Sequence, residues 1–190
     1  MKKTLTLPAL FTLLASCSNQ PAKPIHTVDY VDLDRFIGDW YVIANIPTFI
    51  EKDAYNAIES YARNADGTIA TTFTFSQGSA DGERKQYNPT GFIVDKQSNA
   101  LWGMQFIWPF KAEYRVIYLD DAYQTTIIGR SKRDYVWLMS RQSSIDDSSY
   151  TELLAFMESQ GYDISKVQKV PQVWPQTADS NSKHKEDVLQ

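Results

Sequence analysis

The sequence predicts an all-β fold: eight short antiparallel strands, arranged as an up-and-down barrel or a sandwich, followed by one C-terminal α-helix. Two observations carry this prediction. From Gly38 to Arg141 short β-rich runs alternate with turn residues at near-regular spacing. After Arg141 the apolar period changes once, to that of a helix. A chain of 190 residues with 43% hydrophobic content fits one domain with a substantial core. The aromatic share of 13% adds a demand for large, stiff packing surfaces.

At the N-terminus, two lysines in MKKT precede the apolar run LTLPALFTLLA, then small residues, then Cys17. Residues 1–16 have the layout of a secretory signal, too short to span a membrane. The string Leu14-Ala15-Ser16-Cys17 resembles the lipobox of a bacterial lipoprotein, whose cysteine is acylated and becomes the first mature residue. Cys17 is the chain's single cysteine, so no disulfide competes for it, whereas an anchor needs one thiol. Ser18 in place of Asp resembles sorting to the outer membrane, facing the periplasm. Residues 17–30 then read as a lipidated cysteine and a flexible, proline-bearing tether.

The first strand, WYVIANI, follows the polar run VDLDRF and opens on Gly38-Asp39-Trp40. A longer, apolar-tipped loop from Pro47 to Asp53 leads to AIESYA. The links N-A-D-G and D-G then lead to TIATTFTF and KQYNPTGFIV. Pro89 demands a bulge or break inside the fourth run, because it has no N–H for a ladder. The turns D-K-Q-S-N, P-F-K, D-D and S-K-R-D separate ALWGMQFIW, EYRVIYL, YQTTIIG and DYVWLMS. In the helix, from Ser144 to Gln160, Asp or Ser supplies the N-cap and Gly161 the stop. Tyr150, Leu153, Leu154 and Met157 share its apolar face. VQKVPQVW adds a short strand, and residues 175–190 read as a polar, disordered tail beyond a domain of 31–174.

Composition argues for holding rather than converting. The two histidines, His26 and His184, fall in the tether and the tail, so Ser-His-Asp and Cys-His arrangements are missing from the expected core. The same shortage leaves no His/Cys zinc site, and neither a metal nor a cofactor is expected. No glycine-rich phosphate loop occurs. Cleavage before Cys17 takes Lys2 and Lys3 from 19 basic residues and none from 23 acidic ones, leaving a net charge of −6. That balance argues against nucleic acid as a partner. The basic cluster from Arg130 to Arg133 reads as a solvated hairpin, and Asp120-Asp121 and Asp146-Asp147 as a turn and a helix start.

Gly38-Asp39-Trp40, the eight strands, Asp120 after the sixth, Arg141 closing the eighth and the late helix form one set. They resemble the lipocalin family. The strings WYVIA, YRVIYLD, RDYVWLMSR and GYDISKV are similar to bacterial outer-membrane lipocalins, relatives of apolipoprotein D, over about Val31 to Trp174. The turn Asp-Asp-Ala-Tyr departs from the family's Thr-Asp-Tyr, and no disulfide pair exists.

The resemblance implies an eight-stranded barrel enclosing one small ligand, with no enzymatic activity. Gly38, Trp40 and Arg141 become structural residues, Arg141 lying over the Trp40 indole at the closed end. Val42, Ala44 and Ile46 follow Trp40 inward by parity. The ligand set implied is Tyr61, Phe73, Phe75, Trp102, Met104, Phe106, Arg115, Ile117 and Trp137, with Thr71, Glu59, Tyr135 and Met139 also facing in. Arg115 is expected to meet a ligand carboxylate or phosphate, shared with Glu59, or else to point to water. The ligand is a fatty acid or a lysophospholipid, and the membrane is a partner through Cys17. The apolar loop Phe106 to Phe110, with Phe49 and Ile50 at the open rim, has three expected roles: a lid, a membrane-touching lip or a homodimer contact. Two rival functions remain, a lipid-acting enzyme on the same barrel and an envelope interaction module with a filled barrel.

Overall fold

Ten strands and two helices follow one another in a computed structural model that describes residues 24–174. The signal and Cys17, most of the tether and the tail lie outside the described residues. A one-turn helix α1 (Leu33–Phe36) precedes β1 (Gly38–Ile46), β2 (Ala54–Arg63) and β3 (Ile69–Gln77). Next come β4 (Arg84–Tyr87), β5 (Thr90–Ile93), β6 (Leu101–Ile107), β7 (Phe110–Leu119), β8 (Thr125–Gly129) and β9 (Val136–Ser140). The helix α2 (Asp147–Ser159), a 3-10 turn (Ile164–Lys166) and the two-residue β10 (Gln168–Lys169) complete the fold. All pairings are antiparallel; most join chain neighbours, β3 also pairs β5, β10 pairs β1, and β1 pairs β9, which closes the sheet.

Pro89 breaks the fourth predicted run, leaving β4 and β5 both paired to β3. Counted as one interrupted strand, and without β10, they give the eight strands of a closed barrel. The short α1 is the piece the sequence left unassigned. Asp32 caps it by accepting from the Asp34 N–H, and Leu33 and Phe36 bury against the barrel's closed end.

Two buried clusters flank the barrel wall. One fills the interior with Phe36, Trp40, Tyr61, Trp102 and their neighbours. The other lies between the wall and α2, whose Leu153 and Met157 cover Ile127, Val136 and Leu138. Asp146 caps α2 by accepting from the Ser149 N–H.

A bulge between Val42 and Ala44 changes the expected parity of β1. Trp40 and Val42 face in, but Ala44 and Ile46 pack outward under α2, and Asn45 turns in to bond Glu51. A bulged strand inserts one residue, so every later side chain switches face. β2 is bulged as well, between Tyr55 and Ile58. The C-terminal segment fills the opening: the Gln172 amide donates to the Val42 and Ala57 carbonyls, and the Val170 N–H donates to Ile43.

The tether is shorter than expected, because its described part is docked. Ile25 is buried, the Val28 N–H donates to the Val116 carbonyl, and the Val31 N–H donates to Ser98 at the closed end.

Candidate functional site

The site is built in three levels. At the closed end Gly38 adopts a φ of 98°, a left-handed conformation that favours glycine, and a Cβ there would stand 3.4 Å from the Arg141 guanidinium, in ordinary contact. The Arg141 guanidinium carbon sits 3.8 Å from the Trp40 ring centroid. The same guanidinium donates to the carbonyls of Arg35, Phe36, Ile37 and Asp39, which ties α1 to the barrel. Trp40 is fully buried, and its indole N–H donates to the Phe36 carbonyl.

Above this plug lies an aromatic floor. Tyr61 and Trp102 meet edge to face, Trp102 stacks on Tyr114 at 5.5 Å, and the two tyrosine hydroxyls bond each other. Burial raises both phenols well above their ordinary range.

The third level is a cavity of about 540 Å³ that opens at the other end. Phe73, Met104, Tyr114, Trp137 and Met139 form its wall, while Phe49, Ile50, Phe106 and Ile107 surround the mouth. Arg130 also reaches the mouth, paired with Asp134 at 3.3 Å. The rim is strongly apolar and open to solvent: Phe49, Trp108 and Phe110 are 89%, 81% and 75% exposed.

Three carboxyl groups line this apolar space, and one of them, Glu113, is held by Arg115 and Ser131. Glu51 accepts from the Asn45 amide at 2.7 Å, the Trp137 indole at 2.9 Å and the Thr48 hydroxyl at 3.0 Å. Its burial still raises it above the usual glutamate range, outweighing those three bonds. Glu59 faces inward from β2, opposite Trp40 on one side and Phe73 on the other. Burial pushes it well above the ordinary range and the Glu51 charge pushes it further.

The sequence-predicted set is therefore divided. Phe73, Met104, Phe106 and Trp137 line the cavity. Tyr61, Phe75 and Trp102 face inward but lie outside the lining, packed into the interior cluster. Arg115 and Ile117 need correction. Tyr114 and Val116 take the interior side of β7, while Ile117 packs in the outer cluster and Arg115 pairs with Glu113. An aromatic ring that stacks on Trp102 fits the interior, whereas an unpaired guanidinium there is costly. Glu59 accordingly receives no help from Arg115. Tyr114, Glu51 and Tyr87 are among the lining residues that sequence reasoning missed, as are Glu113 and Arg130. The one available signal was Glu51's place directly after the apolar tip Phe49-Ile50 of its loop.

A family model described as a lipocalin-like domain matches residues 31–172. The chain is a lipocalin. Temperature-induced lipocalin-1 of Arabidopsis thaliana is 31% identical over 159 residues, covering 79% of this chain and 84% of the plant protein. The outer membrane lipoprotein Blc of Escherichia coli K12 is 28% identical over 158 residues, covering 83% and 89%. Among solved structures, insecticyanin of the tobacco hornworm superposes with a TM-score of 0.61 at 15% identity, over 83% of this chain and 88% of that one. This last likeness is one of fold. Lipocalins bind small hydrophobic ligands, and in this lipocalin the open cavity is where such a ligand fits.

The raised glutamate has a measurable consequence for this lipocalin. An acid whose folded value lies above its unfolded one makes the folded state hold more protons, so its contribution is intact at low pH. That contribution is lost as pH rises from the ordinary glutamate value of 4.5 through the folded value. Glu59→Gln should therefore melt higher than wild type at pH 8, with the two curves converging below about pH 4.5. Thermal melts across pH 4 to 8 check this, and parallel curves would contradict it.

Proposed function

We propose that this lipocalin binds and stores or carries a small amphiphilic lipid, a fatty acid or a lysophospholipid, in its barrel at the outer membrane. It does so without catalysing a reaction on it, and the role is membrane maintenance or stress. The observation that carries this reading is the open cavity of about 540 Å³, within the range of small-molecule pockets and walled by aromatic and aliphatic side chains. A barrel filled by its own side chains would have no such space. Native mass spectrometry of the purified protein tests the reading. A co-purifying lipid is expected, and an empty barrel that also refuses added amphiphiles would overturn it.

The reading extends to the membrane. With Cys17 acylated, six residues lie between the anchor and Pro24, so the seven steps reach at most about 25 Å. Traced backward, the described chain leaves the closed end at Val31, passes Val116 and heads toward the mouth half. Anchor and apolar rim then act together, the rim resting in the headgroup region with the cavity mouth toward the bilayer. Trp108 fluorescence should be quenched by vesicles with bromine-labelled acyl chains, and most of the quenching should vanish in Trp108→Leu. Equal quenching in both proteins would count against the lip, and a stable dimer in solution would assign the rim to a second copy.

A further inference from the structure

The inner half of the cavity contains a charge arrangement that a plain acyl chain does not explain. Glu59 projects into the space from the level of Trp40, far from the exposed rim. Among the described residues no protein donor bonds its carboxyl group, and its electrostatic neighbour is a second acid, Glu51. Glu51 differs in being satisfied by three side-chain donors, so it is built into the wall while Glu59 is left free. Both cations near the mouth have an acidic partner, although the buried Arg130 Nε has no hydrogen-bond partner among the described residues. Arg130 pairs with Asp134 and lies 5.2 Å from the Tyr135 ring centroid, and Arg115 pairs with Glu113.

Glu59 is half-buried and faces the open cavity, so a ligand that fills the space and displaces water leaves this acid without a partner unless the ligand supplies the donor. A methyl-ended chain cannot. A fatty carboxylate brought to this depth would put a third acidic group beside two that already repel each other. A group that carries positive charge and N–H donors removes both defects at once.

We propose that the cavity selects amphiphiles bearing an amine or ammonium group, which enters first and bonds the Glu59 carboxylate, while the alkyl chain runs outward to the apolar mouth. This deepens the lipid-binding reading above and rests on it. Glu59 stands in register with Trp40, while Phe106 and Ile107 give an alkyl chain apolar surface at the mouth, beside the paired charges of Arg130 and Glu113. Glu51, near enough to raise Glu59, adds long-range attraction for the same cation.

The experiment compares dodecylamine, dodecanol and dodecanoic acid at pH 7 on the full chain, by calorimetry or by tryptophan fluorescence. Wild type is expected to bind the amine at least tenfold more tightly than the acid. In Glu59→Gln the amine should lose tenfold or more, and the acid should be unchanged or improved. Glu59→Leu, which fills similar space without polarity, repeats the test should the amide perturb the wall. Acid and amine of equal affinity, or an amine indifferent to both substitutions, would overturn the inference while leaving the lipid reading intact. If none of the three chains binds, both readings fail.

Discussion

Trp40→Ala is expected to lower stability by about 3–5 kcal/mol, the range for removing a fully buried large aromatic. Three losses combine. The indole's area leaves the interior cluster, where it packs on Phe36 at 5.2 Å. Its N–H bond to the Phe36 carbonyl disappears. The guanidinium of Arg141 loses the ring beneath it. The site itself should survive, because Trp40 does not line the cavity. Denaturant unfolding measures the first effect, and ligand affinity of the remaining folded protein measures the second. A variant of normal stability that no longer binds ligand would show that Trp40 belongs to the site and not to the plug.

Arg141→Ala should cost about 2–4 kcal/mol, more than an exposed arginine commonly contributes. One guanidinium holds four carbonyls, at 2.8, 2.9 and 3.0 Å from Arg35, Phe36 and Ile37, and 2.7 Å from Asp39. These include carbonyls at the end of α1, which its single turn leaves unsatisfied. Arg141→Lys should recover little, since an ammonium lacks the planar fork that reaches several acceptors at once. A double-mutant cycle with Trp40→Ala isolates the contact between the two side chains, with an expected coupling of about 0.5–2 kcal/mol. Additive losses would mean that the ring and the guanidinium stabilise the closed end independently.

Both substitutions fall where sequence and structure agree most closely. Gly38, Trp40 and Arg141 lie at opposite ends of the strand order, and their roles followed from a family pattern in which each residue type has one physical use. Turn positions were legible for a similar reason. Gly67 takes a φ of 82° after β2, and Asp120 accepts from the Gln124 and Thr125 N–H groups in the β7–β8 turn. The break at Pro89 was equally local, a missing N–H that no partner can replace.

The site was legible only in part. Alternation separates the two faces of a strand but carries no information about depth, so Phe73 lines the cavity while Phe75, two residues on, does not. The residue inserted in β1 has no compositional mark, and it moved Ala44 and Ile46 outward and Asn45 inward. On β7 the alternation of Lys111, Glu113 and Arg115 with Ala112, Tyr114 and Val116 places the charges outside, against the family expectation, and only Ile117 is misleading, because α2 and the segment near Ile25 make its stretch of the outer face apolar.

The sequence by itself determined the strand series, the turns, the late helix and the plug, because these depend on neighbours in the chain or on single residues with narrow uses. The tertiary structure decided which side chains share the cavity, that Glu51 folds back onto Trp137 and that Glu59 has no donor among the described residues. Those are properties of barrel closure, which brings together residues far apart in the chain and fixes their depth only once every strand is in register.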